Sequence, residues 1–123
     1  MNAPSPLTWF EIPVRDLSRA TNFYETVLNT KLRPLAPDMS VFPYTLGHAS
    51  GCLTTVGDRA PSREGTLIYL DTREVDGGLD AALARALESG GKAILPRTDI
   101  AEHGFIAVFE DCEGNAIGLH AYP

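Results

Sequence analysis

One order of elements occurs twice along this chain of 123 residues, and that repeat constrains the fold more than any other feature. Residues 1–6 read as a short flexible lead. Leu7 to Val14 (LTWFEIPV) is rich in aromatic and β-branched residues and predicts a strand. Pro13 sits near its end, where a missing backbone donor is tolerated. Asp16 then offers a short polar side chain to the unpaired N–H groups of a helix's first turn. Leu17, Ala20, Phe23, Tyr24, Val27 and Leu28 recur at three- and four-residue steps and form one apolar stripe. Asn29 is a left-handed stop. Three short strands are expected next, at Lys31–Leu35, Val41–Leu46 and Cys52–Val56, punctuated by prolines and by the turn from Gly47 to Gly51.

The polar stretch Asp58–Glu64 reads as a link, and after it the order restarts. Gly65–Asp71 predicts a strand. Leu79, Ala82, Leu83, Ala86 and Leu87 make a second helical stripe, stopped at Gly90-Gly91. Strands follow at Ala93–Leu95, Phe105–Phe109 and Ala116–His120, the last two joined by the turn Asp111–Asn115. Asn29-Thr30-Lys31 and Gly90-Gly91-Lys92 take matching places after the helices. What repeats is pattern rather than residue identity. The expectation is one α+β domain over residues 1–123, with two βαβββ units at about 7–57 and 65–122. A ferredoxin-like βαββαβ fold would place two strands between its helices. Four strand candidates lie between these, which favours the duplicated unit.

Bulk chemistry narrows the function classes. The formal net charge is −6 and no long Lys/Arg cluster occurs, so nucleic acid and anionic membranes are poor partners. Cys52 and Cys112 lie far apart and make no C-x-x-C pair, so neither a zinc site nor a disulfide framework is indicated. The opening Met1-Asn2-Ala3-Pro4-Ser5-Pro6 has no basic start and no apolar stretch, and no apolar run reaches the length of a membrane span. The expected compartment is the cytoplasm.

Two segments carry a family resemblance. Phe10–Asn29, with its Asp-Leu start and F-Y-x-x-x-L step, resembles the opening strand and helix of the vicinal oxygen chelate superfamily, the glyoxalase, bleomycin-resistance and extradiol dioxygenase proteins. Phe105–Leu119, with D-x-x-G-N leading into the last strand, resembles their final hairpin. In metal-dependent members each unit supplies two ligands, one from its first strand and one from its last, usually His, Gln or Glu. Carried over by motif, those places read Trp9, Cys52, Gly65 and Gly118. A lone thiol does not make a site for a hard or borderline divalent ion. The resemblance therefore implies the fold, curved mixed sheets around a cavity, while the residues at those places argue against its metal, and no cofactor is expected. The family also implies a homodimer.

Alternation along strands then builds a pocket. If Trp9 faces the cavity, so does Glu11. By the same parity Thr54 joins Cys52, Leu67 and Tyr69 join Gly65, and His120 joins Gly118. The expected lining is Trp9, Glu11, Cys52, Thr54, Leu67, Tyr69 and His120, mostly apolar with a few polar groups, as small-molecule pockets are.

A carboxylate within this aromatic strand is costly to bury unpaired, and desolvation would raise the pKa of Glu11 toward a general base's range. A rim Glu in water, or one paired with an Arg, is the plain alternative. His120 is its candidate proton partner, and a strand-end His is the alternative. His103 and His48 fall in turns; His103 is kept as a ligand contact at the mouth. Cys52 reads better as a small buried hydrophobe than as a nucleophile. Arg97 reads as a surface Arg rather than as one reaching over the mouth. A divalent metal held by Glu11, His120 and a third group is left open.

Two functions follow from these residues. One is a metal-independent isomerase, epimerase or lyase, with Glu11 as base and His120 as proton partner. The other is a bleomycin-resistance-type protein that binds or sequesters a small ligand through Trp9 and Tyr69, with Glu11 neutralising a cationic one.

Overall fold

A computed structural model describes residues 5–123, so residues 1–4 of the expected lead lie outside the described residues. The chain runs β1 (Trp9–Pro13), α1 (Leu17–Leu28), β2 (Arg33–Ala36), β3 (Met39–Val41), β4 (Ser50–Thr54), β5 (Tyr69–Asp71), α2 (Gly78–Glu88), β6 (Lys92–Asp99), β7 (Phe105–Glu110) and β8 (Ala116–Ala121). A 3₁₀ turn, Ala101–His103, joins β6 to β7. Two four-stranded sheets result, in the orders β1-β4-β3-β2 and β5-β8-β7-β6. In each, the first strand runs parallel to the last and the other neighbours are antiparallel. The two βαβββ units of the sequence reading are therefore present.

Local chemistry explains the helix ends. Asp16 is extended, and its Oδ1 accepts from the Arg19 N–H at 3.0 Å. Asn29 adopts φ 50°, and the Thr30 N–H reaches back to the Glu25 carbonyl, which closes the last turn. Ala20, Phe23, Tyr24 and Val27, all from the expected stripe, are buried. In α2 the stripe is narrower than expected: Leu79, Ala82 and Ala86 are buried, whereas Leu87 is exposed.

Strand ends differ from expectation where proline or pairing decides. β3 stops at Val41 instead of continuing to Leu46, because Pro43 has no N–H to give the ladder. β5 begins at Tyr69 rather than Gly65. The preceding segment touches β8 only at isolated bonds, such as Gly118 N–H to the Ile68 carbonyl. β6 runs on through Pro96. It is an edge strand, and its register shifts between Ala93 and Leu95 and again between Leu95 and Thr98 absorb the proline.

The core lies between the helices and the inner sheet faces, around Tyr24, Val27, Leu53, Phe109 and Leu119. Helix α1 of unit one packs on the β7–β8 hairpin of unit two, with Phe23 and Phe109 ring centroids 6.0 Å apart. The hairpin turn holds that helix in place. Asp111 accepts from the Tyr24 hydroxyl and, through Oδ1, from the N–H groups of Glu113 and Asn115. The buried Glu113 carboxylate takes the N–H groups of Arg15 and Asp16 and the Arg19 guanidinium, the last at 2.6 Å. The two units are thus joined within one chain. Among the described residues no helix is long and apolar enough to cross a membrane.

Candidate functional site: two open sheet faces

Alternation places the candidate residues on the sheet faces turned away from the helices. In β1, Ile12 is buried and Phe10 packs against the core, while Trp9 is 41% exposed and Glu11 is exposed beside it. In β5, Leu70 is buried and Tyr69 is 43% exposed, with Asp71 exposed beyond it. Each unit therefore presents a half-exposed ring at the start of its first strand and a carboxylate two residues later.

Both carboxylates have an arginine partner. Arg59, from the link between units, meets Glu11 at 2.6 Å. Arg73 meets Asp71 at 2.6 Å. The expectation of a desolvated, unpaired Glu11 is corrected: its side chain is 36% exposed and ion-paired. Partial burial pushes the Asp71 carboxyl upward, but the Arg73 guanidinium and N–H outweigh it and hold the group below the usual carboxylate range.

Glu11 and His120 do not come together. Glu11 and Trp9 border a hollow of about 540 Å³ at the seam of the two sheets, which Arg59, Ile68 and Asn115 also line. His120 and Tyr69 border another, of about 450 Å³, with Asp71, Ile106 and Tyr122. The reason is register: Glu11 lies opposite Cys52 in the first sheet, and His120 lies opposite Asp71 in the second. His120 Nε2 is 2.7 Å from the His103 carbonyl, and its ring meets Tyr122 edge-on at 4.6 Å. His103 thus engages through its backbone. Arg73 stands over the other aromatic contact, 4.5 Å from the Tyr122 ring centre.

Cys52 and Thr54 lie beneath the first face, both buried. Burial pushes the Cys52 thiol up and the Glu11 carboxylate adds to that, against the Trp9 indole N–H and Arg59. Such a thiol is a poor nucleophile. The Thr54 hydroxyl donates to the Asp38 carbonyl and accepts from the Val56 N–H. Leu67, partly exposed, precedes β5. His48 is exposed in the loop before β4. Arg97 pairs with Asp80 at 2.8 Å and covers Phe105.

The places where metal-dependent relatives carry ligands do not fit a metal. Gly65 lies outside β5, and the register sets Tyr69, not Gly65, opposite Gly118. Nor is the Gly118 position vacant. The Tyr69 ring lies across it so closely that a Cβ there would collide with the ring. Trp9 stands at the first-strand place of the other sheet. Among the described residues no three His, Cys, Asp or Glu side chains gather as a metal site. The donor set at the four places is two rings, a buried thiol and a glycine, and one thiol alone does not make a site for a divalent ion.

Asp71, Arg73, Tyr122 and Arg59 were not singled out by the sequence reading. Asp71 shares the parity of Tyr69 and was within reach of that argument. Arg59 carried no signal, because only folding brings the link back over β1.

The comparisons agree with a domain of two βαβββ units. The model of the bleomycin resistance protein-like N-terminal region matches residues 7–41. No match is found among curated proteins. Among solved structures, a glyoxalase/bleomycin resistance protein from Albidiferax ferrireducens T118 is similar at 19% identity and TM-score 0.79, over 97% of this chain and 100% of that one. FosX from Listeria monocytogenes, a fosfomycin resistance protein, is similar at 20% identity and TM-score 0.68, over 98% and 96%. TnmS3 from Streptomyces sp. CB03234, an antibiotic binding protein, is similar at 25% identity and TM-score 0.62, over the full length of both. The chain has the fold of the glyoxalase/bleomycin resistance proteins, and its opening strand and helix are similar to the bleomycin resistance protein-like N-terminal region.

Proposed function

We propose that this protein is a non-catalytic small-molecule binder that holds a flat ligand against Trp9 and Tyr69, without a metal. The observation that carries the reading is the pair of half-exposed rings at equivalent places in the two units. Rings lose little rotamer freedom on binding and offer large apolar faces. Both carboxylates beside them are held in ion pairs, and burial raises the pKa of the Cys52 thiol, so these three groups are poorly suited to proton transfer. Similarity to an antibiotic binding protein points the same way. We take the protein to act in the cytoplasm as a homodimer, in which the two open faces become walls of shared clefts.

Trp9 is the single tryptophan, so its fluorescence reports occupancy directly. Titration with a panel of planar aromatic compounds should give saturable quenching for at least one. Trp9→Ala and Tyr69→Ala, followed by calorimetry, should each weaken that compound about tenfold, the equivalent of about 1.4 kcal/mol. The competing reading is a metal-independent isomerase, epimerase or lyase with Glu11 as base. It requires Glu11 to leave Arg59 in the complex. Turnover of a bound compound that disappears in Glu11→Gln, with affinity retained, would establish that reading and displace ours. Light scattering of purified protein checks the dimer.

A further inference from the structure

A third hollow, of about 530 Å³, lies beside the second face, with which it shares Asp71. It forms where the C-terminal end of α1 meets the loop before β4 and the connector from β5 to α2. Its floor is apolar: Phe10, Leu28, Phe42, Leu70 and Val75. Phe10 and Phe42 contribute tilted rings 5.6 Å apart. Its rim carries Asp71, Glu74 and His48, and no Lys or Arg lines it.

The charge at this rim differs from that of the open faces. Arg73 is committed to Asp71 at 2.6 Å. That leaves the exposed Glu74 carboxylate without an ion-pair partner among the described residues. Tyr44 lines the hollow as well. From a neighbouring hollow that both residues line, Arg33 stands 5.6 Å from the Tyr44 ring centre, so this ring already attracts one cation. The net charge of −6 favours approach of cations over anions.

We propose that this hollow is a second binding site, for an amphipathic organic cation: an aliphatic or aromatic body on the Phe10–Phe42 floor and an ammonium group at Glu74. The body replaces water over apolar surface. The ammonium pairs with the Glu74 carboxylate, the one at the rim that has no ion-pair partner among the described residues. Neither step needs the Trp9 or Tyr69 ring, so the site stands or falls independently of the function proposed above.

The test uses 2-phenylethylammonium against its neutral isostere 2-phenylethanol, read by amide chemical-shift mapping on the intact protein. The cation should give saturable shifts at Phe42, Ser50, Leu70 and Val75, and bind about threefold more tightly than the alcohol, as expected for an exposed charge contact. Glu74→Gln, an exposed substitution that leaves the fold intact, should erase that preference while the alcohol binds as before. Trp9→Ala should leave these shifts unchanged. Equal affinity for cation and alcohol, an unchanged preference in Glu74→Gln, or shifts confined to the surroundings of Trp9 and Tyr69 would each overturn the proposal.

Discussion

The two open faces are built to one plan by different means. In unit one the ring is Trp9, the carboxylate is Glu11, and the arginine is Arg59, 48 positions away in the link between units. In unit two they are Tyr69, Asp71 and Arg73, the last only two positions on. Opposite Glu11 stands a buried thiol, and opposite Asp71 an imidazole. Unit two balances its charge locally, at the end of one strand. Unit one balances it through tertiary structure, and in doing so ties the link across its face. The first face is therefore the one whose shape depends on the whole chain being folded.

The strongest way to break the comparison is to separate the units. Glu113 in the second unit accepts three donors from the start of α1 in the first. Glu113→Ala leaves those donors without their acceptor and should cost about 2–4 kcal/mol, measured by denaturant unfolding. The same group sets an acid limit. Burial pushes its pKa up, but the Arg15 N–H, the Arg19 guanidinium and the Asp16 N–H pull harder and hold it below its ordinary value. A carboxyl depressed on folding adds stability above its unfolded pKa, and that stability fades as pH falls through the folded one. Unfolding free energy should therefore drop on acidification below about pH 4.3, the ordinary Glu value. Glu113→Gln should flatten that part of the profile.

Gly118→Ala tests the second face alone. Its Cβ collides with the Tyr69 ring, so the ring must move or the sheet must give. Overpacking of this kind costs about 1–3 kcal/mol, and in this variant a ligand stacked on Tyr69 should bind more weakly while Trp9 fluorescence changes little. An unaltered melting temperature and affinity would show that the ring does not depend on that glycine.

The smallest effects come from the arginines. Arg59→Ala removes a partly exposed pair and should cost under about 1 kcal/mol. Hydrogen exchange across residues 57–64 should nonetheless rise, because the link loses its tether. Arg73→Ala should leave exchange in that link unchanged. Equal exchange in both variants would erase the distinction between a tethered and a local face.

Cysteine reactivity sharpens the same picture. Burial, with Asp111 nearby, pushes the Cys112 thiol up to about 11, and burial also raises Cys52. Only the thiolate attacks an alkylating reagent, so both thiols should react far more slowly at neutral pH in the folded protein than after denaturation. Fast labelling of Cys52 in the native state would revive it as a nucleophile.

Most of the fold was legible in the chain, because local rules govern its parts. Three- and four-residue spacing marked both helices, and Asp16 and Asn29 marked the ends of the first. The repeat order chose between architectures, because four strands between two helices cannot be accommodated by a βαββαβ sheet. Strand ends were less legible. β5 starts four residues late and β6 runs through a proline, since a strand ends where its partner stops pairing rather than where its own residues change.

The site divides along the same line. Alternation in β1 and β5 follows from backbone geometry, so the shared facing of Trp9 and Glu11, and the turning of Tyr69 away from the core, could be read from the sequence, whereas the exposure of Glu11 could not. Which charges meet could not. Arg59 reaches Glu11, Glu113 caps a helix from the other unit, and Glu11 and His120 fall on separate sheets, because each of these relations spans the chain. Residue spacing determines what faces a neighbour within one element. Only tertiary packing, of strand on strand and of one unit on the other, decides which side chains share a hollow, and so what that hollow can hold.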